Sequence, residues 1–157
     1  MPNGRRSLLA GRRRDPLSPQ DVRRATNTFL GLDENAPPTR YDANENTGFR
    51  VSIDERGQEF GEIVFGPDIY PGAGVVDPNS ALGIKAAAAH ELTHYHRWND
   101  ATQLDAGRLN HIDEALTSLE AAIRYDRRFN EHDVRQLISD AIQRLQIYVQ
   151  ELNPPAA

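Results

Sequence analysis

The pentapeptide His90-Glu91-Leu92-Thr93-His94 constrains this chain more than any other segment. It follows one lysine and four alanines at residues 85–89, which favour an α-helix. Four helical residues advance a side chain by about 400°, so His90 and His94 project from nearly the same face. Two imidazoles in this arrangement can chelate one metal ion, most readily zinc. Glu91 lies about 100° round the helix, close enough to hold a water on that metal. The segment therefore predicts a helix with a metal site that supports amide hydrolysis.

The composition limits the remaining possibilities. The chain has 157 residues, which suits a single domain large enough to bury a core. It contains no cysteine, so any metal site must be built from His, Asp and Glu. The net charge of −5 gives no reason to expect a nucleic-acid partner. No apolar run is long enough to span a membrane. We therefore expect no nucleic-acid or membrane partner, and a cytoplasmic location by default.

The amino terminus is strongly basic. The first fourteen residues hold five arginines and no acidic residue. Arg5-Arg6-Ser7-Leu8-Leu9 has a superficial likeness to a twin-arginine export signal, but no apolar segment follows it. We predict a disordered basic arm over residues 1–16, followed by a single domain over residues 17–153. Secretion of the protein as an effector stays open.

Local patterns along the chain predict an α+β domain. Ser18 can cap a helix whose first residue is Pro19. Phe49, Val51 and Ile53 alternate with polar residues, which is typical of a strand with one buried face. The predicted order begins with a helix from Pro19 to about Phe29 or Leu30, ended by Gly31, and a loop over 32–46. Strands over 48–53 and 60–65, paired as a hairpin, come next. The motif helix from about 80 to Trp98 and two more helices over about 111–127 and 130–152 follow.

A hydrolytic zinc site needs a third protein ligand and one open position for water. The extension H-E-x-x-H-x-x-G-x-x-H is absent, because Arg97 and Asp100 stand where its Gly and last His would be. Glu114 follows His94 by twenty residues, in the next predicted helix. Two helices joined by about a dozen residues can lie antiparallel, which would turn Glu114 towards the His pair. The apolar residues that predict the buried side of this helix are Ile112, Leu116, Leu119 and Ile123.

The pentapeptide together with Ile112-Asp113-Glu114-Ala115 resembles the gluzincin metallopeptidases, the thermolysin-like clan, over roughly residues 80–127. The resemblance implies a zincin-like fold with an N-terminal helix, a small β-hairpin or sheet, the active-site helix and two further C-terminal helices. It implies that His90, His94 and Glu114 bind zinc and that Glu91 is the general base. A compact member of this group would be a zinc endopeptidase that cuts a protein or peptide substrate.

The resemblance carries two further implications. In such folds a strand at the edge of the sheet binds substrate in extended form, a role that Phe60 to Phe65 would take. An Asp four residues after the ligand Glu often braces the first zinc His, whereas this chain has Ser118 there. Ser118 can hydrogen-bond an imidazole, but it would support His90 more weakly.

Several assignments stay open on the sequence alone. Glu120, Asp105 and Asp100 are rival third ligands; Glu120 lies about 240° round the helix from Glu114, so both cannot face one metal. His96 is expected to point away from the metal. An alternative function is a catalytically inactive metal-binding or protein-interaction module of the same fold. The substrate and the oligomeric state are not predicted. Candidates for stabilising the oxyanion of a peptidase are Tyr70, Tyr95, Tyr125 and His132.

Overall fold

The computed structural model describes residues 13–71, 82–105 and 107–154. Within these ranges the chain forms four α-helices and one three-stranded sheet, which confirms the predicted α+β class. Residues 1–12 of the predicted basic arm and the predicted start of the motif helix at residues 80 and 81 lie outside them. The elements follow the order α1 (Pro19–Leu32), β1 (Thr39–Tyr41), β2 (Gly48–Ile53), β3 (Glu59–Phe65), a 3₁₀ turn (Pro67–Ile69), α2 (Ile84–Asn99), α3 (Asn110–Arg124), a second 3₁₀ turn (Asp126–Arg128) and α4 (Glu131–Leu152).

Helix α1 starts where the sequence predicts and ends later. Ser18 caps it, because its Oγ accepts a hydrogen bond from the backbone N–H of Asp21 at 3.1 Å. The predicted stop at Gly31 is wrong, since the helix continues to Leu32. Leu32 is buried in the core together with Phe29. Burial of a leucine outweighs the cost of about 1 kcal/mol for a glycine inside a helix.

The sheet has the strand order β1-β3-β2. β2 and β3 are antiparallel, with Phe49 opposite Ile63, so the predicted hairpin is confirmed. β1 lies parallel to β3, with Thr39 opposite Ile63, although the sequence predicts a loop there. Three residues are too few to show an alternating pattern, and this strand depends on a partner distant in the chain.

The position of β3 limits the prediction for substrate binding. The stretch Phe60–Phe65 belongs to β3, which pairs with β2 along most of its length and with β1 over Ile63–Phe65. The second half of this strand therefore has no free edge to which a peptide strand could add, and peptide binding by its first half stays a prediction. β2 is an edge strand of the described sheet, and its first residues lie next to the cleft described below.

The core lies between α1, β3 and α2. Phe29 of α1 and Phe65 of β3 have ring centroids 5.8 Å apart. Three fully buried alanines on α2 allow this helix to pack closely against its neighbours: Ala86, Ala88 and Ala89. This packing fixes the helix that carries the His pair.

Helices α3 and α4 follow α2 as predicted, but α3 buries a different side. Leu116, Leu119 and Ile123, predicted to be buried, are 40%, 37% and 78% exposed. The buried side of α3 instead includes Thr117 and Ser118. Small side chains occupy this side because α3 packs there against α2 and α4, and Ser118 forms hydrogen bonds with both of these helices. Among the described residues, no helix has the length and apolar character needed to cross a membrane.

Candidate metal centre

His90 and His94 lie side by side on α2, as their spacing predicts. Their ring centroids are 4.7 Å apart. His90 is almost fully buried, and His94 is mostly buried. Together with Glu91 they form a cluster whose potential ligand atoms lie within 4.8 Å of one another. Helix α2 therefore carries a group that could hold a metal ion.

Glu114 of α3 lies directly at this pair. Its Oε2 is 2.8 Å from His90 Nε2 and 3.0 Å from His94 Nε2. A tetrahedral zinc ion with bonds of about 2.0–2.1 Å holds its ligand atoms roughly 3.3 Å apart. The two contacts of Glu114 Oε2 would need to lengthen by only a few tenths of an ångström to take up an ion.

The other side of the His90 ring is held by a chain of hydrogen bonds. Ser118 Oγ lies 2.5 Å from Asp140 Oδ2 and 2.8 Å from His90 Nδ1. A carboxylate oxygen only accepts, so the single hydroxyl proton of Ser118 goes to Asp140. The Ser118 oxygen then accepts a hydrogen bond from His90, which must carry its hydrogen on Nδ1. This places the lone pair of neutral His90 on Nε2, the atom that faces Glu114.

Asp140 is itself anchored from α4. It is fully buried, and its Oδ2 also accepts a hydrogen bond from Arg144 Nε at 2.9 Å. A second guanidinium nitrogen of Arg144 lies 3.7 Å from Glu114 Oε2. Arg144 thus contacts both buried carboxylates and balances part of their charge. The expected contact of Ser118 with His90 is confirmed, and the carboxylate of Asp140 holds the serine in turn.

The electrostatics of the cluster favour a cation. Burial raises the pKa of Glu114, but the contacts of its carboxylate with the imidazoles of His90 and His94 outweigh burial and hold this pKa far below its usual range. Burial lowers the pKa of His94, but the hydrogen bond with Glu114 and the charge of Glu91 outweigh it, so the pKa is raised. One proton can be shared by only one pair of these atoms, whereas a metal ion can bind both imidazole nitrogens and the carboxylate oxygen together. The donor set therefore fits a metal such as zinc.

An open cleft of about 330 Å³ lies beside the cluster. Glu91, His94 and Glu114 line it, and the Oε2 atom of Glu91 is buried with no hydrogen-bond partner among the described residues. The other lining residues come from the start of β2 and from the segment before and within α3: Thr47, Gly48, Phe49, Gln103, Leu104, Asn110 and Asp113.

Thr47 is fixed at the rim of this cleft. Its backbone N–H and its hydroxyl both donate to Asp68 Oδ1, at 2.9 and 2.7 Å. The backbone N–H of Gly66 donates to the Thr47 hydroxyl oxygen at 3.2 Å. Gly66 has no room for a side chain, since a Cβ there would overlap the carbonyl oxygen of Glu45. The end of β3 therefore positions the loop that leads into β2.

The rival carboxylates lie in other contacts. Glu120 is 3.9 Å from Arg97 and 3.8 Å from Arg124. Asp100 caps the end of α2, and Asp105 is exposed. Asp113, next to Glu114, turns the other way and accepts a hydrogen bond from Arg97 at 2.6 Å. Of the carboxylates considered, Glu114 is the one within hydrogen-bond distance of both imidazoles.

The residues proposed for the oxyanion lie mostly elsewhere. The hydroxyl of Tyr70 donates to the carbonyl of Asp21, and that of Tyr125 donates to Asp33, each at 2.7 Å. Tyr95 packs its ring against Phe49. His132 is exposed at the start of α4.

Two polar side chains that the sequence analysis missed, Gln103 and Asn110, line the cleft instead. Asn110 stands four residues before Glu114, one helical turn away on the same face, which is a signal that was available in the sequence.

His96 points away from the His pair, as predicted. Its Nε2 lies 2.6 Å from Asp33 Oδ2, the same oxygen that accepts from Tyr125. Asp33 follows the last residue of α1, so this contact ties α1 to α2 and to the end of α3. His96 therefore has a structural role.

The chain matches no protein-family model, and no curated protein or solved structure matches it significantly. The site is therefore defined by its own geometry. That geometry is a His-Glu-His cluster on α2 that could hold a metal ion. The likeness to gluzincins stays a prediction from the sequence.

Proposed function

We propose that this protein is a zinc-dependent metallopeptidase, with His90, His94 and Glu114 as metal ligands and Glu91 as general base. The observation that carries the proposal is the position of Glu114 Oε2, which lies 2.8 Å from His90 Nε2 and 3.0 Å from His94 Nε2 beside an open cleft. Two His and one Glu form a ligand set that catalytic zinc uses, with a fourth position left for water. The absence of cysteine is consistent with this set.

Bound zinc would supply Lewis acidity towards a substrate carbonyl and would lower the pKa of a water molecule. The protein's own contribution centres on Glu91. Glu91 lines the cleft, where its carboxylate can take the proton of the attacking water and pass it to the leaving amine. Its Oε2 has no hydrogen-bond partner among the described residues that would compete for this role. The contact of His90 with Ser118 fixes the ring so that Nε2 faces the metal position.

The cleft also suits an extended peptide. Thr47, Gly48 and Phe49 line it, and they lie at the start of β2, an edge strand of the described sheet. A substrate strand can pair with such an edge through backbone hydrogen bonds. The side-chain amides of Gln103 and Asn110 are donors on the same cleft, and we assign them to the substrate carbonyl and its developing oxyanion.

The proposal is tested with the purified chain and its Glu91→Gln variant. Metal content is measured after dialysis against zinc, and peptide-bond cleavage is measured with unfolded casein and a peptide library. We expect one zinc per chain in both proteins and cleavage by the wild type alone, since glutamine cannot accept the proton. A wild type without stoichiometric zinc would overturn the metal site. Stoichiometric zinc without cleavage of any substrate would overturn the peptidase and favour the inactive metal-binding module.

A further inference from the structure

Helices α3 and α4 carry an extensive apolar surface that faces solvent. Eight large apolar side chains on these helices are between 37% and 78% exposed. We call this surface the α3–α4 face. Its members are Leu116, Leu119 and Ile123 on α3, and Ile138, Ile142, Leu145, Val149 and Leu152 on α4. A monomeric domain of this size rarely exposes so many aligned apolar side chains.

The spacing of these residues is that of a helix-packing seam. On α4 the five residues follow one another at steps of four, three, four and three. On α3 the steps from Ile112 through Leu116 and Leu119 to Ile123 are four, three and four. This a/d pattern is typical of helices that pack against other helices along a shared seam. The pattern therefore points to a helical partner.

The face is turned away from the metal centre. Leu116 and Ile123 lie about 180–200° round α3 from Glu114. Ile142 lies about 160° round α4 from Asp140, counted by the shorter way. Glu114 and Asp140 both point to the centre, where Ser118 and Arg144 join them. A partner on the α3–α4 face would leave the cleft open.

We propose that the α3–α4 face binds a second copy of this chain, so that the two α3–α4 pairs form a four-helix bundle about a two-fold axis. The exposed fractions correspond to roughly 700 Å² of apolar side-chain surface, close to the ~800 Å² that each partner buries in an interface of standard size. Pairs of helices with exposed a/d seams pack in this way in four-helix bundles.

The charges around the face also suit a second copy. In a two-fold contact the same surface meets itself, so like charges would repel one another. The exposed polar residues that border the α4 seam are uncharged: Ser139, Gln146 and Gln150. At the start of α4, the exposed Glu131 and Arg135 pair with each other at 2.6 Å. The α4 part of the face therefore meets its copy without uncompensated charge.

The test is the molar mass of the full chain in solution. Sedimentation velocity and light scattering are run over a series from low micromolar to several hundred micromolar. We expect the wild type to reach twice its chain mass of 17.6 kDa. The double variant Ile142→Glu/Leu145→Glu places negative charges in the α4 seam of both copies. We expect it to weaken association by about 100-fold or more.

Two further variants keep the test decisive. Ile123→Glu changes a side chain that is 78% exposed in the single chain, so it should weaken the dimer without unfolding the protein. Leu30→Glu changes a 58% exposed leucine on α1, outside the face, and should leave the dimer intact. Circular dichroism checks folding in each case. A wild type that stays at 17.6 kDa throughout overturns the proposal, and so does a dimer that survives all the substitutions on the face. Neither result bears on zinc binding or cleavage.

Discussion

The hydroxyl of Ser118 donates a hydrogen bond to the buried carboxylate of Asp140 across the contact between α3 and α4, at 2.5 Å. Through this bond a carboxylate on the last helix determines which nitrogen of His90 carries the hydrogen. The serine thus transmits the support that a carboxylate in direct contact would otherwise give.

Replacing Ser118 with alanine should weaken zinc binding. The change removes the acceptor for the Nδ1 hydrogen of His90, and loss of such a contact costs about 10- to 100-fold in metal affinity. Competition with a chromophoric chelator measures the affinity directly. Ser139→Ala, which changes an exposed serine on α4, is the matched control and should bind zinc like the wild type. Equal affinity in both variants would show that Ser118 does not support the metal ligand.

Asp140→Asn should destabilise the protein even without metal. Asp140 and Arg144 form a buried ion pair four residues apart, and removing the charge of Asp140 leaves Arg144 with only the more distant carboxylate of Glu114. The expected loss is about 3 kcal/mol of unfolding free energy. It is measured by urea denaturation in the presence of a chelator.

Helix α4 offers a matched control for this substitution. Glu131 and Arg135 have the same spacing and a shorter separation of 2.6 Å, but both are exposed. Solvent screens such a pair, so Glu131→Gln should leave the midpoint of the denaturation curve unchanged. An equal loss of unfolding free energy in the two variants would contradict the expectation that burial makes the Asp140–Arg144 pair contribute more than the exposed pair.

Tyr125→Phe should lower stability at neutral pH and change its dependence on alkaline pH. Burial raises the pKa of Tyr125, and its hydrogen bond to Asp33 raises it further, well above the ordinary value of 10.0. A pKa raised by folding contributes stability that is complete below the unfolded pKa and is lost as the pH rises above it. The wild type should therefore lose stability more steeply than the variant above about pH 10.

Urea denaturation between about pH 8 and pH 11 measures this difference. At pH 8 the variant should be less stable by about 1 kcal/mol, the contribution of one buried hydrogen bond. Tyr148→Phe removes a hydroxyl with no hydrogen bond among the described residues and should keep the wild-type slope. Parallel pH profiles for the wild type and Tyr125→Phe would contradict the expected coupling to Asp33.

Gly66→Ala should disturb the rim of the cleft. The new methyl group would overlap the carbonyl oxygen of Glu45, which would push away the loop that holds Thr47. We expect a loss of more than about 2 kcal/mol, because a strained backbone has to shift. Thermal and urea denaturation measure it.

Gly31→Ala is the control for this change. A Cβ at position 31 meets nothing within 4 Å, and the residue lies inside α1. Alanine there should raise stability by about 0.5–1 kcal/mol. Comparable losses in both variants would show that the close approach at Gly66 is not the cause.

The order of the main helices and the hairpin could be predicted because each rests on local signals. The capping residues Ser18 and Asn130 are examples. The alternation at β2 predicted a strand correctly but its buried face wrongly, because Val51 and Ile53 are 41% and 69% exposed. Strand β1 could not be predicted, since it forms only against β3. The exposed side of α3 was predicted as buried for a related reason. A 3.6-residue period shows that Leu116, Leu119 and Ile123 share a face, but not that hydrogen-bonded groups occupy the inner one.

The candidate site divides in the same way. The grouping of His90, Glu91 and His94 could be predicted from their spacing within one helix. That of Glu114 could be predicted from its distance along the chain, which places it in the next helix. Asp140 lies twenty-six residues further on, and its pairing with Arg144 is visible in the sequence only as an ordinary helical spacing. Its contact with Ser118 depends on how α4 packs, which no local pattern specifies.

Arg144 contacts both Asp140 and Glu114, so the packing of α4 and the binding of a ligand at the His cluster are thermodynamically linked. Linkage is reciprocal. A ligand that binds the cluster should therefore stabilise the packing of α4, and a change that destabilises this packing should weaken the binding of the ligand. The opposite side of the same helix carries the exposed seam from Ile138 to Leu152. Helix α4, which extends nine residues before Asp140 and twelve after it, therefore carries the support of the His cluster on one side and the exposed seam on the other.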